Sequence, residues 1–273
     1  MKKVWLITGA SRGLGLHIAK TALEAGDIVV ATARRTEGLA DALAGHGDRL
    51  HAIALDVTDR HAALRAADEA VARCGRIDVL VNNAGQAQLG WFETIEDEHV
   101  RQQFEINLFG AMNVTRAVLP HMRVRHAGLV VTISSVNGLV SNPGGSVYSA
   151  SKFALEGWME GLAQELEPLG IRTLVIEPGM MRTDFLDPSS ARHGGIDIPD
   201  YAVAVARFQA FIRDANHRQP GDPAALAARI VALAATPSSP PRFVFGEDAL
   251  AWSFDKLERL RAQLERSAEI ART

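Results

Sequence analysis

Short apolar runs rich in β-branched residues alternate with amphipathic stretches along much of the chain. The runs fall at residues 4–8, 28–32, 50–55, 79–82, 129–134, 172–177 and 242–245. Most are hydrophobic without polar alternation, as strands covered on both faces of a parallel sheet must be. Between them, apolar positions recur at helical spacing over 14–25, 60–74, 97–126, 147–169 and 223–235. Strands alternating with helices join through right-handed crossovers, so the pattern predicts an α/β fold built on a doubly wound parallel sheet flanked by helices. No Pro/Gly/Ser-rich linker breaks the series, and residues 1–273 read as a single domain.

Two segments depart from this rhythm. Residues 184–220 form a long insertion carrying Pro188, Gly194, Gly195 and Pro199 before an amphipathic stretch at 201–216. Insertions of that length in a compact domain tend to be functional or disordered. Residues 251–271 set Trp252, Leu257, Leu260 and Leu264 among Lys, Arg and Glu, which predicts a surface helix packed on the body.

Composition narrows the function classes. The 273 residues are 47% hydrophobic and 22% charged, with a net charge of −3 and no basic run, so nothing points to a nucleic-acid partner. Cys74 is the lone cysteine, which rules out an intrachain disulfide and suits a reducing compartment. The apolar stretch Val4–Ile7 is too short for a secretory leader, and no run approaches the roughly 18 apolar residues that span a bilayer. The expectation is a soluble cytoplasmic protein without a membrane partner.

Thr8-Gly9-Ala10-Ser11-Arg12-Gly13-Leu14-Gly15 follows the first strand and opens the first helix. Glycines here allow positive φ and close approach of the backbone to a ligand, and the helix N-terminus favours a pyrophosphate. A Rossmann-type dinucleotide fold often places an acid at the end of its second strand to bind the ribose 2′-hydroxyl. That strand ends Ala33-Arg34-Arg35, with no acid. Arg34 and Arg35, with Arg12, would instead attract a 2′-phosphate, so NADP is favoured over NAD.

A second constellation lies further on. Ser135 stands at the end of a predicted buried strand, and Tyr148 and Lys152, four apart on a helix, share one face. A free phenol has a pKa of about 10. A neighbouring ammonium would favour its ionised form and bring it toward the working range, while the serine could hold a substrate oxygen. Taken singly, such a pair is usually structural, and a serine after a strand is usually a cap.

With these residues in place, the chain resembles the short-chain dehydrogenase/reductase family in its compact single-domain branch, from Lys3 to about Thr183. The resemblance matches the family's glycine loop to Thr8–Gly15 and its adenine-side acid to Asp56 in Leu55-Asp56-Val57. Its Asn-Asn-Ala-Gly stretch matches Asn82-Asn83-Ala84-Gly85, and its nicotinamide-side loop matches Pro178-Gly179 through Met181 to Thr183. The resemblance implies a catalytic set of Asn107, Ser135, Tyr148 and Lys152. Ser135 is preferred to Ser134 for its thirteen-residue separation from Tyr148.

It further implies that Lys152 and Tyr148 also touch the cofactor, and that Asn107 holds a water in a proton relay. Gly9, Ser11, Arg12, Gly13, Leu14, Gly15, Arg34, Arg35, Asp56, Val57, Asn82, Ala84, Gly85, Pro178, Gly179, Met181 and Thr183 are expected on the cofactor side, with Asn83 mainly structural. Asp56 also reads as a helix-start residue. No metal is implied.

The expected activity is hydride transfer between the nicotinamide and an apolar ketone or secondary alcohol of moderate size. Phe185, Tyr201, Phe208 and Phe211 would line its pocket, with the insertion able to close over it. The alternatives are a sugar or acyl-carrier thioester reductase, or a cofactor-sensing binding protein of the same fold. Family members commonly pair through the helices at 97–126 and 147–169. The long C-terminal helix favours a homodimer over a tetramer.

Overall fold

A computed structural model describes residues 2–272. Seven parallel strands form the central sheet: β1 (Val4–Ile7), β2 (Ile28–Ala33), β3 (Leu50–Ala54), β4 (Val79–Asn82), β6 (Gly128–Ile133), β7 (Ile171–Pro178) and β9 (Arg242–Phe245). Their order is β3-β2-β1-β4-β6-β7-β9. Chain direction across the sheet reverses between β1 and β4, and a crevice opens at the carboxyl ends of strands at such a switch point. The predicted class and every predicted strand are found, with ends moved by no more than a residue or so.

Parallel crossovers bury both faces of the sheet, which is why the strands read as unbroken apolar runs. Within β1, Val4 and Leu6 face a layer formed by α3 (Arg60–Cys74), α5 (Gly110–Arg125) and α6 (Ser146–Leu166). Trp5 and Ile7 face α1 (Gly13–Glu24), the short α2 (Leu39–Ala42) and α8 (Pro223–Ala235). All four β1 side chains are fully buried. A side chain of this kind stabilises the fold by roughly 1.5–3 kcal/mol when taken from water.

The predicted helix over 97–126 is broken into α4 (Asp97–Phe104), a π turn (Glu105–Phe109) and α5. A π turn accommodates one extra residue and marks functional positions more often than chance. Here it turns Asn107 and Leu108 inward. The insertion at 184–220 is folded: β8 (Ala191–His193) pairs in parallel with β5 (Ala87–Leu89), and α7 (Ala202–Ala215) follows. Runs of three residues carry too little periodicity to be read from sequence.

The C-terminal helix corrects its expectation. α9 (Glu247–Ile270) starts earlier than predicted, and of its residues only Ala249 and Ser253 are buried. Phe254, Leu257, Leu260 and Leu264 are all exposed, so the helix docks by its first turns and then leaves the body. Charged and apolar residues alternate closely there, and an amphipathic pattern cannot tell a packed stripe from one facing outward. No helix among the described residues is long and apolar enough to cross a membrane.

Candidate active site

A cavity of about 1420 Å³ runs along the carboxyl ends of β1, β2, β4, β6 and β7. Its floor at one end is the glycine loop. Gly9 and Gly13 have φ of +65° and +54°, which other residues adopt at a cost. A Cβ on Gly9 would stand 3.0 Å from the Ala84 Cα, and one on Gly15 would overlap the Asn83 amide and the Gly9 carbonyl. Thr8 Oγ1 accepts from the backbone N–H of Asn83 (2.9 Å) and Ala84 (3.0 Å), locking the loop to the end of β4. The N-terminus of α1 has no side-chain cap, so its first N–H groups remain for a ligand.

Most of the expected cofactor-side residues line this cavity: Gly9, Ser11, Arg12, Gly13, Leu14, Arg34, Arg35, Asp56, Val57, Ala84, Gly85, Pro178, Gly179, Met181 and Thr183. Arg34 and Arg35 are exposed and make no side-chain hydrogen bond or ion pair among the described residues, so their charge is free for a ligand. Arg12 is engaged, donating to Ser189 Oγ (2.7 Å) and Ser189 O (2.9 Å) of the insertion. Asp56 accepts on Oδ1 from the backbone N–H and the hydroxyl of Thr58. The helix-start role considered for Asp56 belongs to Asp59, which caps α3 through His61 and Ala62.

Two of the expected cofactor-side residues are not on the wall. Asn82 is buried within the sheet and donates to Thr115 Oγ1 (2.9 Å) and Thr132 Oγ1 (3.3 Å), whereas Asn83 lines the cavity and donates to Thr8 O (2.9 Å) and Gly9 O (3.1 Å). Strand alternation turns adjacent side chains to opposite environments, so Asn82 lies within the sheet while Asn83, tying the glycine loop as the structural role expected, borders the cavity. Gly15 stands behind the loop, where its lack of a side chain makes room for Asn83.

Asn107 is also behind the wall. Its amide donates to Gln86 O (3.0 Å) and Ser151 Oγ (3.3 Å) and accepts from Gln86 N (3.0 Å), with no hydrogen bond to Lys152. Ser151 in turn donates to Tyr148 O (2.7 Å), so Asn107 braces the turn of α6 that carries the tyrosine.

Ser135, Tyr148 and Lys152 converge on the cavity. Ser135 follows β6 in extended backbone, its Oγ accepting from Asn137 N at 3.1 Å. The Tyr148 hydroxyl faces the Ser135 side chain, and the Phe185 ring leans on the tyrosine ring at 5.7 Å. Lys152 Nζ donates to Ile133 O at 2.8 Å.

Both ionisable groups are shifted by burial. Burial pushes the Tyr148 phenol up to about 12, the Ser135 hydrogen bond opposing only in part. Burial also pushes Lys152 down to about 8, with the nearby Glu156 carboxylate opposing. The expectation that the ammonium would lower the tyrosine is therefore corrected. Loss of water around the phenolate outweighs a cation that is itself turned to a backbone carbonyl. At neutral pH the site presents a protonated phenol beside a cationic lysine, arranged to give a proton to an oxygen.

Part of the remaining wall is apolar. Phe185, Phe208 and Phe211 line it as expected, joined by Leu89, Ile212 and Trp252. Phe208 meets the Trp91 ring edge-on at 5.7 Å and occupies the space left by Gly144. Tyr201 does not line it, because its hydroxyl is drawn outward to Glu93. Two residues went unread in the sequence. Asp248 accepts from Met180 N (2.9 Å) and packs against Gly179, holding the Pro178–Thr183 loop from α9. Gln219, only 3% exposed, sits in the cavity wall with neither end of its amide paired. Neither carries a local motif, since each acts across a long stretch of chain.

Comparison with known proteins places this geometry. The short chain dehydrogenase model matches residues 3–194, and the chain belongs to that family. Oxidoreductase BOA17 of Botryotinia fuckeliana is 37% identical over 272 residues, covering 99% of this chain and 98% of the relative. A short-chain dehydrogenase from Streptomyces avermitilis has a TM-score of 0.91 at 44% identity, covering 100% and 98% of the two chains. ElxO with NADP bound matches at TM-score 0.76 and 25% identity (92% and 100% covered). A Burkholderia phymatum member in complex with NAD shares the fold at TM-score 0.84 and 23% identity (96% and 95% covered). The protein is an NAD(P)-dependent dehydrogenase/reductase.

Proposed function

We propose that the protein is an NADP-dependent carbonyl reductase or alcohol dehydrogenase for an apolar ketone or secondary alcohol of moderate size. The observation that carries this is the meeting of the Tyr148 and Ser135 hydroxyls on an apolar wall, in one cavity with the glycine loop and the unpaired Arg34 and Arg35. The bare glycine loop, the uncapped start of α1 and the arginines fit a phosphorylated dinucleotide, held at its far end by the Pro178–Thr183 loop. When bound, that cofactor supplies hydride exchange at its nicotinamide ring.

The residues of the chain do the rest. Ser135 donates a hydrogen bond to the substrate oxygen and holds it beside Tyr148. Tyr148 gives its hydroxyl proton to that oxygen in reduction and takes it back in oxidation. Lys152, charged below about 8, stabilises the phenolate left behind. Asn107 positions Tyr148 through Ser151. Leu89, Phe185, Phe208 and Ile212 exclude water and favour an apolar substrate body.

The protein acts as one dinucleotide-binding domain in the cytoplasm, paired as a homodimer through α4, α5 and α6. Phe109 and Phe153, beside and on these helices, are exposed at 45% and 43% and would be covered by a partner. A panel of ketones and secondary alcohols with NADPH, NADH and their oxidised forms, followed by nicotinamide absorbance, tests the reading. Turnover of apolar ketones with NADPH supports it. Cofactor binding without turnover on any substrate would favour a sensing protein instead.

A further inference from the structure

The connection between α7 and α8, residues 216–222, is pinned at both ends. Its start continues the last turn of α7, with Asn216 N donating to Ile212 O (3.0 Å) and Arg218 N to Ala215 O (3.0 Å). Its end is tied to the Pro178–Thr183 loop, where Gly221 N donates to Met180 O (3.0 Å) and Arg182 N to Gly221 O (2.8 Å). Contact there is close enough that a Cβ on Gly221 would press on the Met181 sulfur at 2.5 Å and on Met180 O at 2.8 Å. The Asp222 side chain then caps α8 by accepting from Ala224 N (2.9 Å).

Gln219 stands between these two anchors, 3% exposed and lining the cavity. Its Oε1 and Nε2 are both buried, and neither has a hydrogen-bond partner among the described residues. Buried amides normally have partners, because an unpaired one has given up water for nothing. The two anchors hold the backbone of Gln219 against turning its side chain out to solvent. The same cavity takes Phe208, Phe211 and Ile212 from α7 before the connection, and Met180 and Met181 from the loop bound to its end. The amide therefore belongs to the stretch of wall that runs from the apolar α7 face to the Pro178–Thr183 loop.

We propose that Gln219 is a specificity-determining residue that hydrogen-bonds a hydroxyl on the substrate, away from the carbon that exchanges hydride. The substrate class is thereby narrowed to a hydroxylated ketone, or the matching diol, on an otherwise apolar body. A hydroxyl can accept from Nε2 or give its proton to Oε1, whereas a carboxylate only accepts and an ammonium only donates. A substrate without such a group leaves the amide unpaired beside it. A site with a buried polar group of this kind rejects an analogue that lacks one hydroxyl far better than an apolar pocket rejects a missing methylene. This inference rests on the carbonyl reductase reading of the site. The carboxamide of a nicotinamide offers a donor and an acceptor as well, and the test separates the two sources.

Acetophenone and cyclohexyl methyl ketone are compared with derivatives that carry one hydroxyl at successive ring positions. Binding is read as the rise in melting temperature that each ketone gives the NADP-loaded protein, and turnover as kcat/KM with NADPH. In the wild type, at least one hydroxylated derivative should exceed its parent by about tenfold in both, as one net hydrogen bond would give. Gln219→Met keeps the length of the side chain and removes both polar ends. It should erase that preference and leave the Kd for NADPH in place. It should also raise the melting temperature of the ligand-free protein, since no unpaired amide is then buried.

A merely structural glutamine would lower the melting temperature when replaced and leave the choice between ketones untouched. That result, or a wild type that favours no hydroxylated derivative, would overturn the inference. Weaker NADPH binding in Gln219→Met, followed by fluorescence titration, would place the partner on the nicotinamide carboxamide and overturn it as well. If Gln219→Met does not fold, Gln219→Ala removes the amide without adding bulk and should erase the preference equally; a preference that survives it would sink the proposal. The melting-temperature shifts need no turnover. A protein that binds hydroxylated ketones through Gln219 but reduces none would count against the proposed activity and leave this inference standing.

Discussion

Lys152 Nζ donates to the carbonyl oxygen of Ile133 at 2.8 Å and stands 5.9 Å from the centroid of the Tyr148 ring. The lysine is thus anchored to the end of β6 rather than to the tyrosine four residues before it. Its charge acts on the site from a fixed point, and pH dependence follows from how firmly that charge is held.

Burial lowers Lys152 from its ordinary 10.5 to about 8, so the ammonium is present below about 8 and lost as pH rises through it. Ketone reduction is therefore expected to fall about tenfold per pH unit above that point while staying level toward neutrality. A kcat/KM profile with NADPH checks this. The unfolded chain keeps the proton up to 10.5, so the cost of burying the charge is full below about 8 and fades between the two values. Lys152→Met should accordingly abolish turnover yet raise the melting temperature at neutral pH, with the gain shrinking as pH approaches 10.5.

Tyr148→Phe removes the proton donor and keeps the ring against Phe185. Turnover should drop by roughly 10²- to 10⁴-fold, the usual worth of a positioned acid. Cofactor affinity, followed by fluorescence titration, should change by less than about tenfold. Wild-type-like turnover would remove the tyrosine from the mechanism.

Arg34→Asp puts an acid at the end of β2, where the structure has an unpaired cation. A charge-assisted hydrogen bond contributes about 1.5–3 kcal/mol. The kcat/KM ratio of NADPH to NADH should therefore fall by roughly 10- to 100-fold, and an unchanged ratio would place the selectivity elsewhere.

Gly15→Ala drives a methyl group into the Asn83 amide and the Gly9 carbonyl. Overpacking of this kind costs about 1–3 kcal/mol. Because Asn83 ties the loop to Thr8, the expected outcome is a lower melting temperature together with weaker cofactor binding. Gly26→Ala, with nothing near it but a φ of +89°, provides a control for backbone strain without crowding.

The amino-acid sequence by itself determined the layered fold and the chemical parts of the site. Short apolar, β-branched runs such as residues 79–81 between helical stretches mark strands buried on both faces, and Tyr148 and Lys152 share a helix face by spacing alone. The glycine loop was legible because its function depends on backbone freedom, which residue type announces directly. Tertiary structure decided what depends on neighbours distant in sequence. It turned Asn82 inward and Asn83 to the cavity, drew Tyr201 to Glu93, and left the later turns of α9 in solvent. It also enclosed Tyr148, and burial that raises its phenol is a property of the whole enclosure rather than of local spacing. The pairing of Glu156 with Glu177 through Arg242 joins α6, β7 and β9, and no motif in any one of them announces it.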